Sequence, residues 1–336
     1  MRRVIINHGS KKMSSHSYKS GTSARSLVIV HGRDFKPSGK GLLDLADTAL
    51  AAGVERDYPE LLDDYRSLNK ELAYYGDLTN AVLIEKGGKY DEQLDIGDRR
   101  NALHLLRQVD KRKKFGIQRY DKLPGKSAIA EFAADIAAPV LGVVGFANPL
   151  IAKVAKDVSA YWNPKSDYGA QVRQRVRTTL CAAMDRGDQV MLISHGTGCV
   201  VAYDVIWELS HDPEISARYS EQKLGVWLTL GAPLGDSAVR KKLLGAKEKA
   251  AKRYPRIILS WHNLSAEDDY ACHDNTLADD FKIMLKEKLV SSIRDYQIYN
   301  LTVRYGKSNP HSSAGYYIHP RVSQIIADWL TQGSVD

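Results

Sequence analysis

The sequence predicts an α/β fold, a mostly parallel central sheet flanked by helices. Three observations lead there. Short β-branched runs such as SLVIVHG (Ser26–Gly32) read as strands buried on both faces. Segments with helical spacing separate these runs, and strands that alternate with helices form parallel sheets covered on both sides. The stretch QVMLISHGTGCVVAYDVIWELS (Gln189–Ser210) joins a buried strand to an apolar helix through a tight glycine-bearing turn.

The elements follow in order. Residues 1–25 are polar and rich in Ser, Lys and Arg, lack the apolar core of a secretion signal, and read as a flexible lead. SLVIVHG is the first strand and GKGLLDLADTALAAGV (Gly39–Val54) the helix after it. ELAYYGD (Glu71–Asp77) is the second strand. Residues 91–114 read as helical, with Leu94, Leu103, Leu105, Leu106 and Val109 on the apolar side. A helix over 168–186 leads to the strand QVMLIS, and GCVVAYDVIWELS returns from it. KLGVWLTLGAPLG (Lys223–Gly235) is a strand and loop, RIILSWHNL (Arg256–Leu264) another strand, DYQIYNLTV (Asp295–Val303) the last, and HPRVSQIIADWL (His319–Leu330) the closing helix. Residues 88–165 break the alternation and are expected to form a helical cap or lid inserted over the strand ends, leaving 26–87 and 166–332 as the core. There is no internal repeat.

Composition narrows the class. With 336 residues and 43% apolar content the chain can bury one large core or two small ones. Cys181, Cys199 and Cys272 have no metal-like spacing, and a reducing, cytoplasmic setting without a disulfide framework is expected. The uncharged stretch IAAPVLGVVGFANPLIA (Ile136–Ala152) is shorter than the ~20 residues of a spanning helix. Pro139 and Pro149 break it, so it reads as a buried or interfacial helical pair. The net charge of +8 is concentrated in DKRKKFGIQRYDK (Asp110–Lys122) and VRKKLLGAKEKAAKRYPR (Val239–Arg256). No nucleic-acid module accompanies them, so nucleic acid is disfavoured and solvated basic helices are expected. The neighbouring apolar stretch makes peripheral contact with an anionic membrane the sharper alternative.

In a parallel sheet, ligands gather at the carboxyl ends of the strands. There the chain places His31, Gly32 and Arg33 after the first strand, the His195–Gly198 turn after QVMLIS, Glu267, Asp268 and Asp269 after RIILSWHNL, and His311 and Ser312 after the last strand. The succession of turn, acid and histidine is that of a family of hydrolases in which the nucleophile precedes the acid and the histidine comes last. On VIVHG, LISHGTG, TLGAPLG, WHNLSAEDD and NPHSSAGYYIHP, the chain resembles an α/β-hydrolase of the lipase/esterase type. The resemblance covers roughly 26–332 apart from the insertion.

It implies that Gly196 occupies the nucleophile position, that Asp269 is the acid with Asp268 as the alternative, and that His311 is the general base. It further implies oxyanion donors at the N–H of Thr197 and at an N–H near Gly32 or Arg33. The implied ligand is a small ester or lipid-like molecule, with no cofactor and no metal. The departure is at the turn. The family pattern is small-x-Ser-x-Gly, whereas this chain has Ser194, His195, Gly196, Thr197 and Gly198. Two readings of Gly196 stay open, a homologue without a nucleophile and a variant inactivated at that position. A third class is a non-catalytic binding or scaffold protein.

An elbow residue sits at positive φ, which costs a non-glycine residue on the order of 1–3 kcal/mol. Glycine reaches that conformation without steric cost. Other hydroxyls and thiols are poor substitutes. Thr197 points elsewhere from the start of the helix, Ser194 packs under the turn, and Cys199 faces the core. His31 either caps its strand or shapes an oxyanion loop. His195 reads as a packed turn residue, His319 as the entry to the helix at Pro320, and Asp236 as a loop turn residue. His262 and His273 have no second ligand at metal spacing.

Overall fold

Six parallel strands in the order β2-β1-β3-β4-β5-β6 form the centre of this computed structural model, which describes residues 24–125, 156–269, 271–272 and 276–332. The strands are β1 (Arg25–Val30), β2 (Asn69–Ala73), β3 (Gln189–His195), β4 (Leu224–Leu230), β5 (Ile258–Ala266) and β6 (Ser292–Ile298). The helices used below are α1 (Gly39–Asp57), α2 (Gly76–Glu85), α3 (Glu92–Arg107), α4 (Lys156–Tyr161), α5 (Tyr168–Asp185), α6 (Gly198–His211), α7 (Ser313–Tyr317) and α8 (Pro320–Thr331). The α/β architecture with a parallel sheet is therefore present.

Period-two alternation sorts the strand side chains onto two covered faces. Leu27, Ile29, Met191, Ile193, Val226 and Leu228 pack with α1, α3, α7 and α8. Val28, Val30, Leu192 and Trp227 pack with α5 and α6 on the other side. Both faces being dry explains why the strands read as nearly continuous apolar runs.

The chain leaves β1 toward β2 on one side and returns to pair β3 on the other, with Val30 opposite Ser194. The strand order thus reverses between β1 and β3. At such a reversal the two following loops diverge and open a crevice at the carboxyl ends. His31–Arg33 and His195–Gly198 flank it.

Several expectations need correction. The second strand covers 69–73 rather than 71–77, because Tyr75 already caps α2. The helix expected over 91–114 ends at Arg107. Leu103, Leu106 and Val109 are buried as expected, but Leu94 and Leu105 are 62% and 43% exposed. The helix turns Ala102, Leu103 and Leu106 inward against α1, which carries Leu94 and Leu105 round to the outer side. Residues 239–256 form only short helical turns at Ser237–Arg240 and Ala250–Arg253, not a basic helix. Arg25, placed in the lead, belongs to β1. Of the expected insertion, α3 joins the helical layer and also walls the crevice, while 126–155, including the apolar stretch, lies outside the described residues. Among the described residues no helix is long and apolar enough to cross a membrane.

Candidate functional site

Burial of imidazoles shapes the loop after β1. His31 stacks on Tyr75 at 3.9 Å, accepts from the Tyr75 N–H at 3.1 Å through Nε2, and donates from Nδ1 to the Gly32 carbonyl at 2.9 Å. Burial, helped by the nearby Lys36 ammonium, lowers its pKa to about 3, so it is a neutral structural group. The Tyr75 hydroxyl closes on the His31 carbonyl. This pinning settles the path of Gly32 and Arg33. Of the two readings of His31, the strand-end clamp is the one that matches its contacts, and the clamp also shapes the loop.

The turn after β3 is anchored by the Gly196 N–H, which donates to the Leu230 carbonyl of β4 at 2.9 Å. Gly196 has φ +55°, the left-handed conformation expected of an elbow. Thr197 opens α6, where first-turn N–H groups have no intrahelical carbonyl to bind. A Cβ at Gly196 would stand 3.9 Å from the Gly32 Cα, so the two glycine-bearing loops face each other across the crevice.

The same Cβ position lies 3.0 Å from His311 Nε2 and 3.2 Å from its Cε1. On its other edge, His311 Nδ1 donates to Asp269 Oδ1 and Oδ2 at 2.9 and 3.0 Å. That bond places the remaining nitrogen, Nε2, as the acceptor aimed at the glycine. Asp269 is buried, and burial alone would raise its pKa. The His311 ring, the Tyr316 hydroxyl at 2.6 Å and the Ala271 N–H at 3.0 Å outweigh burial and hold the carboxyl below its usual range. His195 supports the partner loop, donating from Nε2 to the His311 carbonyl at 2.9 Å with the two rings 4.7 Å apart. Burial and the neighbouring His311 drive its pKa well below the ordinary value.

Asp268 is not brought to the imidazole. At φ +61° its side chain turns away and accepts from the Tyr120 hydroxyl at 2.8 Å. Glu267 points outward to Gln297. Ser194 Oγ accepts from Trp227 Nε1 at 3.0 Å and donates to Cys199 Sγ at 3.3 Å, beneath the turn and away from the crevice. Burial raises the Cys199 thiol to about 12, which leaves it without thiolate character. Asp236 caps a short helix through the Ala238 N–H at 2.7 Å, and His319 caps α8 through the Arg321 N–H at 3.1 Å. His262 packs flat on Tyr296 and bonds Ser260. His273 lies outside the described residues. Among the described residues no group of three or more His, Cys, Asp or Glu is placed to hold a metal ion.

Two positioning residues escape the sequence. Tyr316 accepts from the Ala266 N–H at 2.9 Å while donating to Asp269, so one hydroxyl ties the acid loop to α7. Gly231 has φ +56°, and a Cβ there would stand 2.7 Å from Asp269 Oδ2, 3.1 Å from the Tyr316 hydroxyl and 3.2 Å from His311 Nδ1. The motif TLGAPLG contains that glycine, but only the fold shows that a carboxylate sits on it.

The crevice opens into a cavity of about 710 Å³ that includes Gly32, Arg33, His195 and His311. Its far wall is an ion-pair network. Arg304 bonds Asp95 at 2.7 Å and Asp98 at 2.6 Å, and Arg99 bonds Asp95 at 2.9 Å. Phe35 and Tyr90 stack at 4.9 Å beside it. Compared with known protein families, curated proteins and solved structures, the chain matches none.

Proposed function

We propose that this chain is an α/β-hydrolase-type protein that keeps the acid–base half of a hydrolytic site, lacks a side-chain nucleophile, and binds a small ester or acyl ligand in the crevice. One observation carries the reading. His311 Nε2 lies 3.0 Å from where a Cβ would stand on Gly196, while its Nδ1 is held by buried Asp269. In this reading Asp269 fixes the tautomer and stabilises the imidazolium, and His311 is the general base. The N–H groups of Thr197 and of Gly32 or Arg33 receive the developing negative charge of a carbonyl oxygen. Tyr90, Leu94, Asp95 and Arg99, from the first part of the expected insertion, supply the outer wall. The charged wall at Asp95, Arg99 and Arg304 supports a ligand with a polar part over a purely lipidic one.

Without a hydroxyl at 196 the covalent route is closed, and removal of a triad member leaves only a small residual rate. The test is fluorophosphonate labelling and short-chain ester hydrolysis on the chain and on Gly196→Ser. The chain itself should remain unlabelled. Gly196→Ser should be labelled at residue 196 and gain esterase activity that Gly196→Ser/His311→Gln lacks. A folded Gly196→Ser that neither labels nor hydrolyses removes the reading.

A further inference from the structure

Arg33 borders two unequal cavities. On one side is the 710 Å³ crevice with His311. On the other, Arg33, Tyr75, Trp162, Tyr168, Thr197 and Val201 enclose a much smaller, mainly apolar pocket of about 30 Å³. That space holds about two water-sized groups. Its walls are built from packed elements. Tyr168 and Thr79 join hydroxyls at 2.8 Å, Val172 and Val201 are buried on α5 and α6, and Tyr75 is clamped to His31.

The placement of the two cavities is chemically ordered. Arg33 and Thr197, whose loops carry the N–H groups assigned to the carbonyl oxygen, border the small pocket. His311, the group placed to protonate a leaving alcohol, borders the large one. A carbonyl carbon held at the elbow therefore directs its acyl chain into the small pocket and its alcohol into the polar crevice. We infer that the site selects esters whose acyl part has only about two or three carbons, joined to a larger polar alcohol. This inference rests on the proposed function and adds the substrate class.

The first experiment measures kcat/KM of Gly196→Ser for p-nitrophenyl esters of increasing acyl length. Acetyl or propionyl should exceed octanoyl by at least about tenfold, since a small apolar pocket discriminates strongly against added methylenes. Equal or rising rates toward octanoyl overturn the inference. The second uses the unaltered chain and needs no turnover. Fluorine NMR of trifluoroacetamide should show line broadening that excess propionamide relieves and octanamide does not. Absence of broadening, or equal relief by octanamide, overturns the inference. If folded Gly196→Ser hydrolyses no ester, the hydrolase reading fails by itself, and the NMR competition still decides the pocket.

Discussion

The two halves of the crevice are built to different standards. On the acid side, buried Asp269 is held by His311, Tyr316 and the Ala271 N–H, and the backbone of Gly231 lies against it. On the side of the turn after β3, the backbone is equally well anchored, through Gly196 to Leu230 and His195 to the His311 carbonyl, but it ends in a bare Cα. Both halves use a glycine at positive φ, +56° and +55°. The difference lies in what surrounds each. At Gly231 an added methyl meets a buried, fully bonded carboxylate. At Gly196 it meets the edge of one imidazole at 3.0–3.2 Å, a looser contact with a side chain that is 14% exposed. The acid side is the more tightly filled of the two, 2.7 Å against 3.0 Å for the nearest atom to an added Cβ.

The largest effect should come from Gly231→Ala. Strain at positive φ adds to a 2.7 Å clash with Asp269, and the expected loss is about 3–5 kcal/mol in a denaturant titration. A loss below 1 kcal/mol would erase the contrast between the halves.

The buried imidazoles give the fold a pH axis, which His262 and His319, also held low by burial, share with the crevice. His31 and His195 are buried neutral, with pKa values below the ordinary 6.5. Between 6.5 and those lower values the unfolded chain binds protons that the native chain does not, so stability falls as pH drops through that window. From pH 6.5 to 5 the loss should be on the order of 2 kcal/mol for each such imidazole, read as the shift of the urea midpoint. Asp269 is the reverse type, its folded value lying below 3.8. Its contribution is present above 3.8 and disappears only as pH falls through the lower folded value. A flat profile from pH 7 to 5 would contradict the buried neutral assignment.

Tyr316→Phe removes a hydroxyl that serves both Asp269 and the Ala266 N–H, and should cost about 1–3 kcal/mol. In the Gly196→Ser background it should also lower kcat more than it raises KM, whereas a merely structural tyrosine would leave kcat of the folded fraction unchanged. The smallest effect is expected of Gly196→Ala, about 1 kcal/mol, because strain at positive φ is joined there by contact with one imidazole edge at 3.0–3.2 Å rather than by a 2.7 Å clash with a carboxylate. Measured side by side, Gly231→Ala and Gly196→Ala should differ by at least 2 kcal/mol.

Local pattern made much of the sheet legible. The strands at 189–195, 224–230 and 258–266 and the helix after the turn are strongly apolar runs, and the first and third of these strands end just before Gly196 and Asp269. The choice between Asp268 and Asp269 was legible only as an ordering, since adjacent carboxylates differ by the backbone twist at φ +61° that no residue type announces. Gly231 and Tyr316 were not legible as site residues, because their roles exist only once β4, β5 and α7 converge. Leu94 and Leu105 misled because a half-wet helix carries apolar residues on more than one side. Leu94 borders the crevice, where an apolar side chain at the surface has a use.

The central strand pair has a consequence for how the chain is made. Arg25 of β1 meets Gln189 of β3 across 164 positions of sequence. During synthesis β1 gains β2 on one margin early, while its other margin stays open until β3, at Gln189–His195, has emerged. Pairings of such long range form slowly, and an open apolar strand margin invites intermolecular association meanwhile. The crevice straddles that seam and takes Asp269 and His311 from still later segments, so ribosome-bound intermediates should hold no assembled pocket, and yield in the cell should depend on chaperone supply more than on the final stability of the fold.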